Sequence, residues 1–155
     1  MRGFGETAER LRRSTAQVFP GGRGNGGSGV VWSADGVILT NANVARGPAA
    51  PVELWDGQRF EARVESRDSR RDLAALRIAT KGLEAATPGD SPALRPGELV
   101  IAIGNPLAFA GALSTGAARC APAHLPVSRL MKRGTSAWST TPSPFMSATR
   151  ALQFG

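Results

Sequence analysis

Cysteine and histidine are nearly absent from this chain, and tyrosine is missing altogether. Cys120 and His124 are the single members of their types among 155 residues. One cysteine excludes an intrachain disulfide and says nothing about the compartment. Because zinc and similar metals are held by several Cys and His ligands, we expect no metal ion in this protein.

Long apolar runs are also absent. No segment approaches the roughly 20 apolar residues that a membrane-spanning helix needs. Residues 1–13 are polar and Arg-rich, which is unlike a signal peptide. We therefore expect no membrane span, and the compartment stays open with the cytoplasm as the default. At 155 residues the chain can bury one ordinary hydrophobic core, or slightly more.

Acidic residues are missing from the last part of the chain. Residues 117–155 hold 5 Lys and Arg and no Asp or Glu, whereas residues 1–116 hold 14 basic and 12 acidic residues. Most of the net charge of +7 therefore belongs to a Ser-, Thr- and Pro-rich segment without periodic apolar residues. Such a composition is typical of an unstructured tail. Charge carried there argues against a shaped nucleic-acid site, so we expect no nucleic-acid partner.

Two Asp-Gly pairs indicate tight turns between strands. Asp35-Gly36 and Asp56-Gly57 each lie between two segments with apolar or alternating side chains. β-Branched residues favour strands, and Asp-Gly supplies the positive φ angles of hairpin turns. The sequence therefore predicts two β-hairpins, with Trp55 as a packing residue of the second. The predicted strands are residues 15–19, 30–32, 37–39, 52–55, 58–65 and 72–78, and residues 45–51 are predicted to be a loop.

Four short motifs occur in order along the first two thirds of the chain. They are Gly27-Ser28-Gly29-Val30, Ile38-Leu39-Thr40-Asn41-Ala42-Asn43-Val44, Asp72-Leu73-Ala74 and Ala102-Ile103-Gly104-Asn105-Pro106. In these motifs and their spacing the chain resembles the HtrA/DegP-type, trypsin-like serine proteases over about residues 14–116. The resemblance implies an all-β fold: a trypsin-like first β-barrel, then the opening strands of a second barrel at residues 99–106 and 112–116.

The resemblance also implies a division of the chain. Residues 1–13 would be a polar lead-in, either a short helix or disordered. Residues 14–95 would form the first barrel with its connector, and residues 96–116 the opening strands of the second. Residues 117–155 would be the unmatched, largely unstructured basic tail.

Two positions of a catalytic triad follow from the resemblance. Asp72 matches the triad aspartate, whereas Asn43 occupies the position of the catalytic histidine. The family's nucleophile motif, Gly-Asn-Ser-Gly-Gly-Pro, does not occur after Gly116. A carboxamide does not accept a proton near pH 7, so Asn43 would not act as the base. Without the flanking motifs, Asp72 would be interpreted as a strand-opening residue paired with Arg70 or Arg71.

The functional expectation is a serine endopeptidase domain that is inactive in this chain. Its partner, if any, would be an unfolded or extended polypeptide. One alternative is a non-catalytic pseudoprotease module that captures peptides by adding strands to an open sheet edge. Another is a non-functional gene fragment, because truncation or a shifted reading frame would produce the change of composition after Gly116.

Three other features invite chemical interpretations. Residues 24–29 match the dinucleotide pattern G-x-G-x-x-G, but a strand rather than a helix is predicted to follow, so we expect no nucleotide cofactor. For the same reason Ser28 lacks the helix of a nucleophile elbow. His124 and Cys120 lie four residues apart with no orienting partner, so neither is expected to replace the missing base.

Overall fold

The structure, a computed structural model, describes residues 3–20, 26–90, 93–105 and 111–118. These ranges contain one helix and eight strands: α1 (Phe4–Arg13), β1 (Thr15–Val18), β2 (Gly27–Ser33), β3 (Val37–Thr40), β4 (Ala49–Leu54), β5 (Arg59–Asp68), β6 (Leu73–Arg77), β7 (Leu99–Gly104) and β8 (Ala112–Ala117). The predicted all-β fold is confirmed, and both hairpins form around their Asp-Gly turns. From residue 119 onward, the predicted tail lies outside the described residues.

The first six strands form a closed antiparallel barrel in the order β1-β2-β3-β6-β5-β4. β1 closes it by pairing with two strands, so that Ala16 lies opposite both Gly29 and Leu54. Side chains that alternate inward along the strands fill the interior, as the period of two predicts. The core consists of buried apolar residues: Ala16, Val18, Val31, Ile38, Ala45, Ala50, Val52, Leu54, Ala62, Ala74, Leu76 and Ile78.

Both hairpin turns use a glycine with positive φ. Gly36 has a φ of 97° and Gly57 a φ of 84°, a region that L side chains rarely adopt. The two turns differ in their surroundings. A side chain at Gly36 would overlap the carbonyl oxygen of Ile78, whereas open space surrounds Gly57.

β4 begins earlier than the sequence suggested, so the loop prediction for residues 45–51 is wrong at its end. Residues 49–51 belong to the strand. Pro51 lies opposite Glu61, and its carbonyl oxygen accepts the Phe19 N–H at 2.8 Å. The side chain of Pro51 is exposed, and the ladder continues past it on both sides. The loop-like composition of this segment is overridden by tertiary pairing.

α1 packs its basic end against the second hairpin. The sequence left a helix or disorder open for residues 1–13, and residues 4–13 are helical. The guanidinium groups of Arg12 and Arg13 lie 6.0 and 5.1 Å from the centroid of the Trp55 ring, within the range of cation–π attraction. Trp55 therefore packs outside the barrel, 42% exposed. No helix in the described ranges has the length and apolarity needed to cross a membrane.

β7 and β8 form a separate two-stranded antiparallel sheet. They correspond to the strands predicted to open a second barrel, and β8 ends at Ala117, which pairs with Leu99. Leu99 is 71% and Leu113 43% exposed, while Ile103 is buried. The predicted domain boundary between residues 95 and 96 stays a prediction.

Candidate active site

Asp72 lies just before β6, close to the end of β3. This placement follows from strand pairing, because Thr40 at the end of β3 is opposite Ala74 in β6. The turn at residues 41–44 and the start of β6 therefore meet at one end of the barrel. Asp72 has a φ of 52°, the left-handed region, which aspartate and asparagine adopt more readily than other residues with side chains.

Both carboxylate oxygens of Asp72 accept hydrogen bonds from the turn after β3. The backbone N–H of Asn43 donates to Oδ1 at 2.9 Å. The Nδ2 of Asn41 donates to Oδ2 at 3.0 Å and to the main-chain oxygen of Asp72 at 3.2 Å. The structure thus brings together the two residues that the sequence singled out, and it adds Asn41 as a third.

The turn that carries Asn43 is held by its own backbone and by two arginines. The N–H groups of Val44 and Ala45 donate to the Asn41 carbonyl at 3.1 and 3.3 Å. Arg46 Nε donates to the Asn43 carbonyl at 2.8 Å. Arg67 on β5 donates from Nη2 to the Gly47 carbonyl at 2.9 Å. Position 43 is exposed, yet its backbone is fixed from several sides.

Sequence reasoning missed Asn41, Arg46 and Arg67. Asn41 belongs to one of the four sequence motifs, but nothing in that motif assigns it a contact with Asp72. Arg67 lies beyond the strand predicted for residues 58–65, and the register of β5 shifts between Val64 and Ser66, so the alternation does not indicate what Arg67 faces. These contacts depend on the three-dimensional path of the turn, which single-sequence patterns do not contain.

The two arginines named as alternative partners of Asp72, Arg70 and Arg71, contact the Asp68 carboxylate. Asp68 Oδ1 accepts the backbone N–H groups of Arg70 and Arg71 at 3.0 and 3.1 Å. The Arg71 guanidinium lies 3.5 Å from Asp68 Oδ2. Asp68 therefore organises the turn between β5 and β6, while the Asp72 carboxylate accepts from Asn41 and Asn43.

The remaining candidates show no catalytic arrangement in the described residues. Ser28 lies on β2, and its hydroxyl oxygen accepts the Asn105 N–H at 2.7 Å. The strand that contains it continues to Ser33, so no helix follows. Cys120 and His124 lie outside the described residues. The described ranges hold no group of three or more His, Cys, Asp and Glu side chains placed to bind a metal ion.

The barrel and the motifs agree with the comparison to known proteins. The sequence profile of the family described as "Trypsin-like peptidase domain" matches residues 27–147, more than half of the chain. This chain therefore belongs to the family of trypsin-like peptidase domains. Within that class it is of the HtrA type, as its curated relatives show.

Two of these relatives give the extent of the similarity. The chain is 43% identical over 93 residues to "Serine protease HTRA2, mitochondrial" of Drosophila pseudoobscura pseudoobscura, covering 58% of this chain and 22% of that protein. It is 41% identical over 92 residues to "Serine protease HTRA1" of Xenopus laevis, covering 58% and 20%. The chain thus spans about a fifth of the length of these relatives. The family match continues to residue 147, past the last motif seen in the sequence.

Proposed function

We propose that this HtrA-type serine protease domain does not hydrolyse peptide bonds. The proposal is carried by Asn43, whose backbone N–H lies 2.9 Å from the Asp72 carboxylate. In a Ser-His-Asp triad the carboxylate orients an imidazole, which removes the proton of the attacking serine. We assign Asp72 to the orienting position and Asn43 to the position of the imidazole.

The substitution removes the general base from the site. A carboxamide nitrogen is not basic near pH 7, so the Asn43 side chain does not accept the proton of an attacking hydroxyl. The string Gly-Asn-Ser-Gly-Gly-Pro is also missing from residues 117–155. In subtilisin, loss of the histidine or the serine alone lowers kcat about as much as loss of the whole triad, about 10⁶-fold, or about 8 kcal/mol of transition-state stabilisation. Hydrolysis by this chain is therefore expected at the background rate.

Digestion of fluorescently labelled casein tests the proposal, together with labelling by a fluorophosphonate probe that reacts with activated serines. The purified chain and its Asp72→Asn variant are compared with an active trypsin-like enzyme at equal concentration. We expect the purified chain and Asp72→Asn to give the signal of buffer alone in both assays. Cleavage that is blocked by the fluorophosphonate and lost in Asp72→Asn would show that the site is active and would overturn the proposal.

A second candidate function is capture of an extended polypeptide at a strand edge. The closed barrel offers no such edge within the described residues, so we assign the capture to the other sheet. β7 and β8 differ, because each is paired on one side only among the described strands. Exposed Leu99 and Leu113 add apolar surface there. Strand addition at such an edge joins main-chain hydrogen bonding with side-chain contacts.

Fluorescence anisotropy with labelled, reduced casein tests this second function. We expect binding that weakens at least several-fold in Leu99→Lys and Leu113→Lys, because charge on an edge strand opposes pairing. Glu61→Lys, at an exposed position of the closed barrel, is the matched control and is expected to bind like the wild type. Equal binding by all four proteins would place the interaction elsewhere and reject this function.

A further inference from the structure

Asn41 donates two hydrogen bonds to Asp72, and the sequence motifs indicate neither of them. Its single side-chain amide donates both to the Asp72 carboxylate at 3.0 Å and to the Asp72 main-chain carbonyl at 3.2 Å. Two bonds from one amide group fix the side chain and the backbone of the same residue relative to each other. They also cross between the end of β3 and the start of β6, 31 residues apart in the sequence.

The backbone of Asp72 gives these bonds a further role. Its φ of 52° is uncommon for a residue with a side chain, and such conformations persist where surrounding contacts determine them. The bond from Asn41 to the main-chain oxygen supports that conformation. The bond to Oδ2 then occupies one carboxylate oxygen, and Oδ1 faces the backbone of Asn43 at 2.9 Å.

We infer that Asn41 is a positioning residue, which holds the Asp72 carboxylate towards position 43 so that an imidazole there would be oriented. The inference rests on the proposed assignment of Asn43 to the position of the imidazole. Asn41 itself contacts no reacting group. Its effect passes through Asp72, which keeps the geometry of an orienting carboxylate although this chain has no histidine at position 43.

The test introduces the imidazole and measures its protonation. In Asn43→His, NMR titration of the ring protons gives the pKa of the new imidazole, and the wild type identifies the signal of its one histidine, His124. An opposite charge within about 4–6 Å raises the pKa of an imidazole. Asp72→Asn in the Asn43→His background is therefore expected to lower that pKa by about one pH unit.

The decisive variants change Asn41 in the same background. Asn41→Ala and the nearly isosteric Asn41→Leu remove both donated bonds, and each is expected to lower the imidazole pKa by about half a pH unit or more, because the carboxylate is no longer held in place. Arg46, which donates to the Asn43 carbonyl, and Arg67, which donates to the Gly47 carbonyl just after the turn, are present in every variant and cancel in the comparison, as do the neighbouring Arg70 and Arg71. Circular dichroism confirms that each variant is folded.

Gln58→Ala is the matched control. It removes another amide-to-carboxylate hydrogen bond, from Gln58 Nε2 to Asp56 Oδ2 at 2.6 Å, in the turn of the second hairpin. We expect no change of the imidazole pKa. An unchanged imidazole pKa in either folded Asn41 variant overturns the inference. If neither Asn41 variant folds, Asn41 has a structural role and the inference is rejected as well. Because peptidase activity plays no part in the measurement, the proposed inactivity stands or fails separately.

Discussion

The backbone N–H of Asn105 donates to the Ser28 hydroxyl at 2.7 Å and so connects the start of β2 with the end of β7, 77 residues later. Asn105 is buried, and its own Oδ1 accepts the Gly111 N–H at 2.6 Å. A buried N–H that loses its partner costs about 1–3 kcal/mol. The serine between two glycines therefore joins the barrel to the β7–β8 sheet, which is a structural role.

Ser28→Ala is expected to destabilise the contact between the barrel and the β7–β8 sheet by about 1–3 kcal/mol. The substitution leaves the buried Asn105 N–H without an acceptor. Hydrogen–deuterium exchange checks the effect, with faster exchange expected in residues 99–117 than in the barrel. Ser69→Ala, at an exposed turn position, is the control. Equal exchange of residues 99–117 in both variants would contradict the prediction.

Replacing the two turn glycines separates backbone strain from collision. Gly57→Ala places a side chain at positive φ in open space and is expected to cost about 1–2 kcal/mol. Gly36→Ala adds an overlap with the Ile78 carbonyl oxygen, so about 2–5 kcal/mol is expected. Urea unfolding followed by circular dichroism measures both. A cost at Gly57 equal to that at Gly36 would show that the collision at Gly36 relaxes freely.

The barrel core is expected to dominate the free energy of unfolding. Ile38 and Leu76 lie opposite each other in β3 and β6, and neither is exposed. Ile38→Ala or Leu76→Ala should therefore destabilise the protein by about 2–5 kcal/mol. Leu99→Ala, at a position that is 71% exposed, should change stability by less than about 0.5 kcal/mol. Thermal or urea unfolding would refute this if the three variants proved equally stable.

Asp35 introduces a small dependence of stability on pH. Hydrogen bonds from the Ser33 hydroxyl and from Arg77 hold the pKa of this exposed carboxyl below its usual value of 3.8. Because the folded state has the lower pKa, the stabilisation is complete above about pH 4 and is lost as the pH falls through the folded value. In urea titrations between pH 2 and 6, Asp35→Asn should flatten this part of the curve, and Ser33→Ala should do so in part. An unchanged curve in Asp35→Asn would contradict the assignment.

The hairpins and the closeness of Asp72 to Asn43 were predictable from the sequence. Asp-Gly turns and alternating side chains are local signals, and Gly36 and Gly57 have the positive φ that these signals require. The proximity of Asp72 to Asn43 was implied by the family motifs. The pairing of β3 with β6 brings these motifs together in the structure.

Other contacts have no local signature. The strand character of Pro51 arises only because Glu61 in β5 and Phe19, the residue just after β1, meet it from two sides. Arg67 binds carbonyls of a turn about 20 residues earlier, which no period along β5 indicates. Asn41 is similar, since its partner Asp72 is 31 residues away and lies in an uncommon backbone conformation.

Closure of the barrel by β1 and β4 also has a consequence for synthesis on the ribosome. β1 ends at Val18, but its partner β4 begins only at Ala49. The partner of β3, β6, begins only at Leu73. Contacts between distant segments make folding slow, and unpaired edges promote association with other chains. A nascent polypeptide that stalls before residue 77 emerges therefore exposes open edges, and it is at this stage that a chaperone would protect it best.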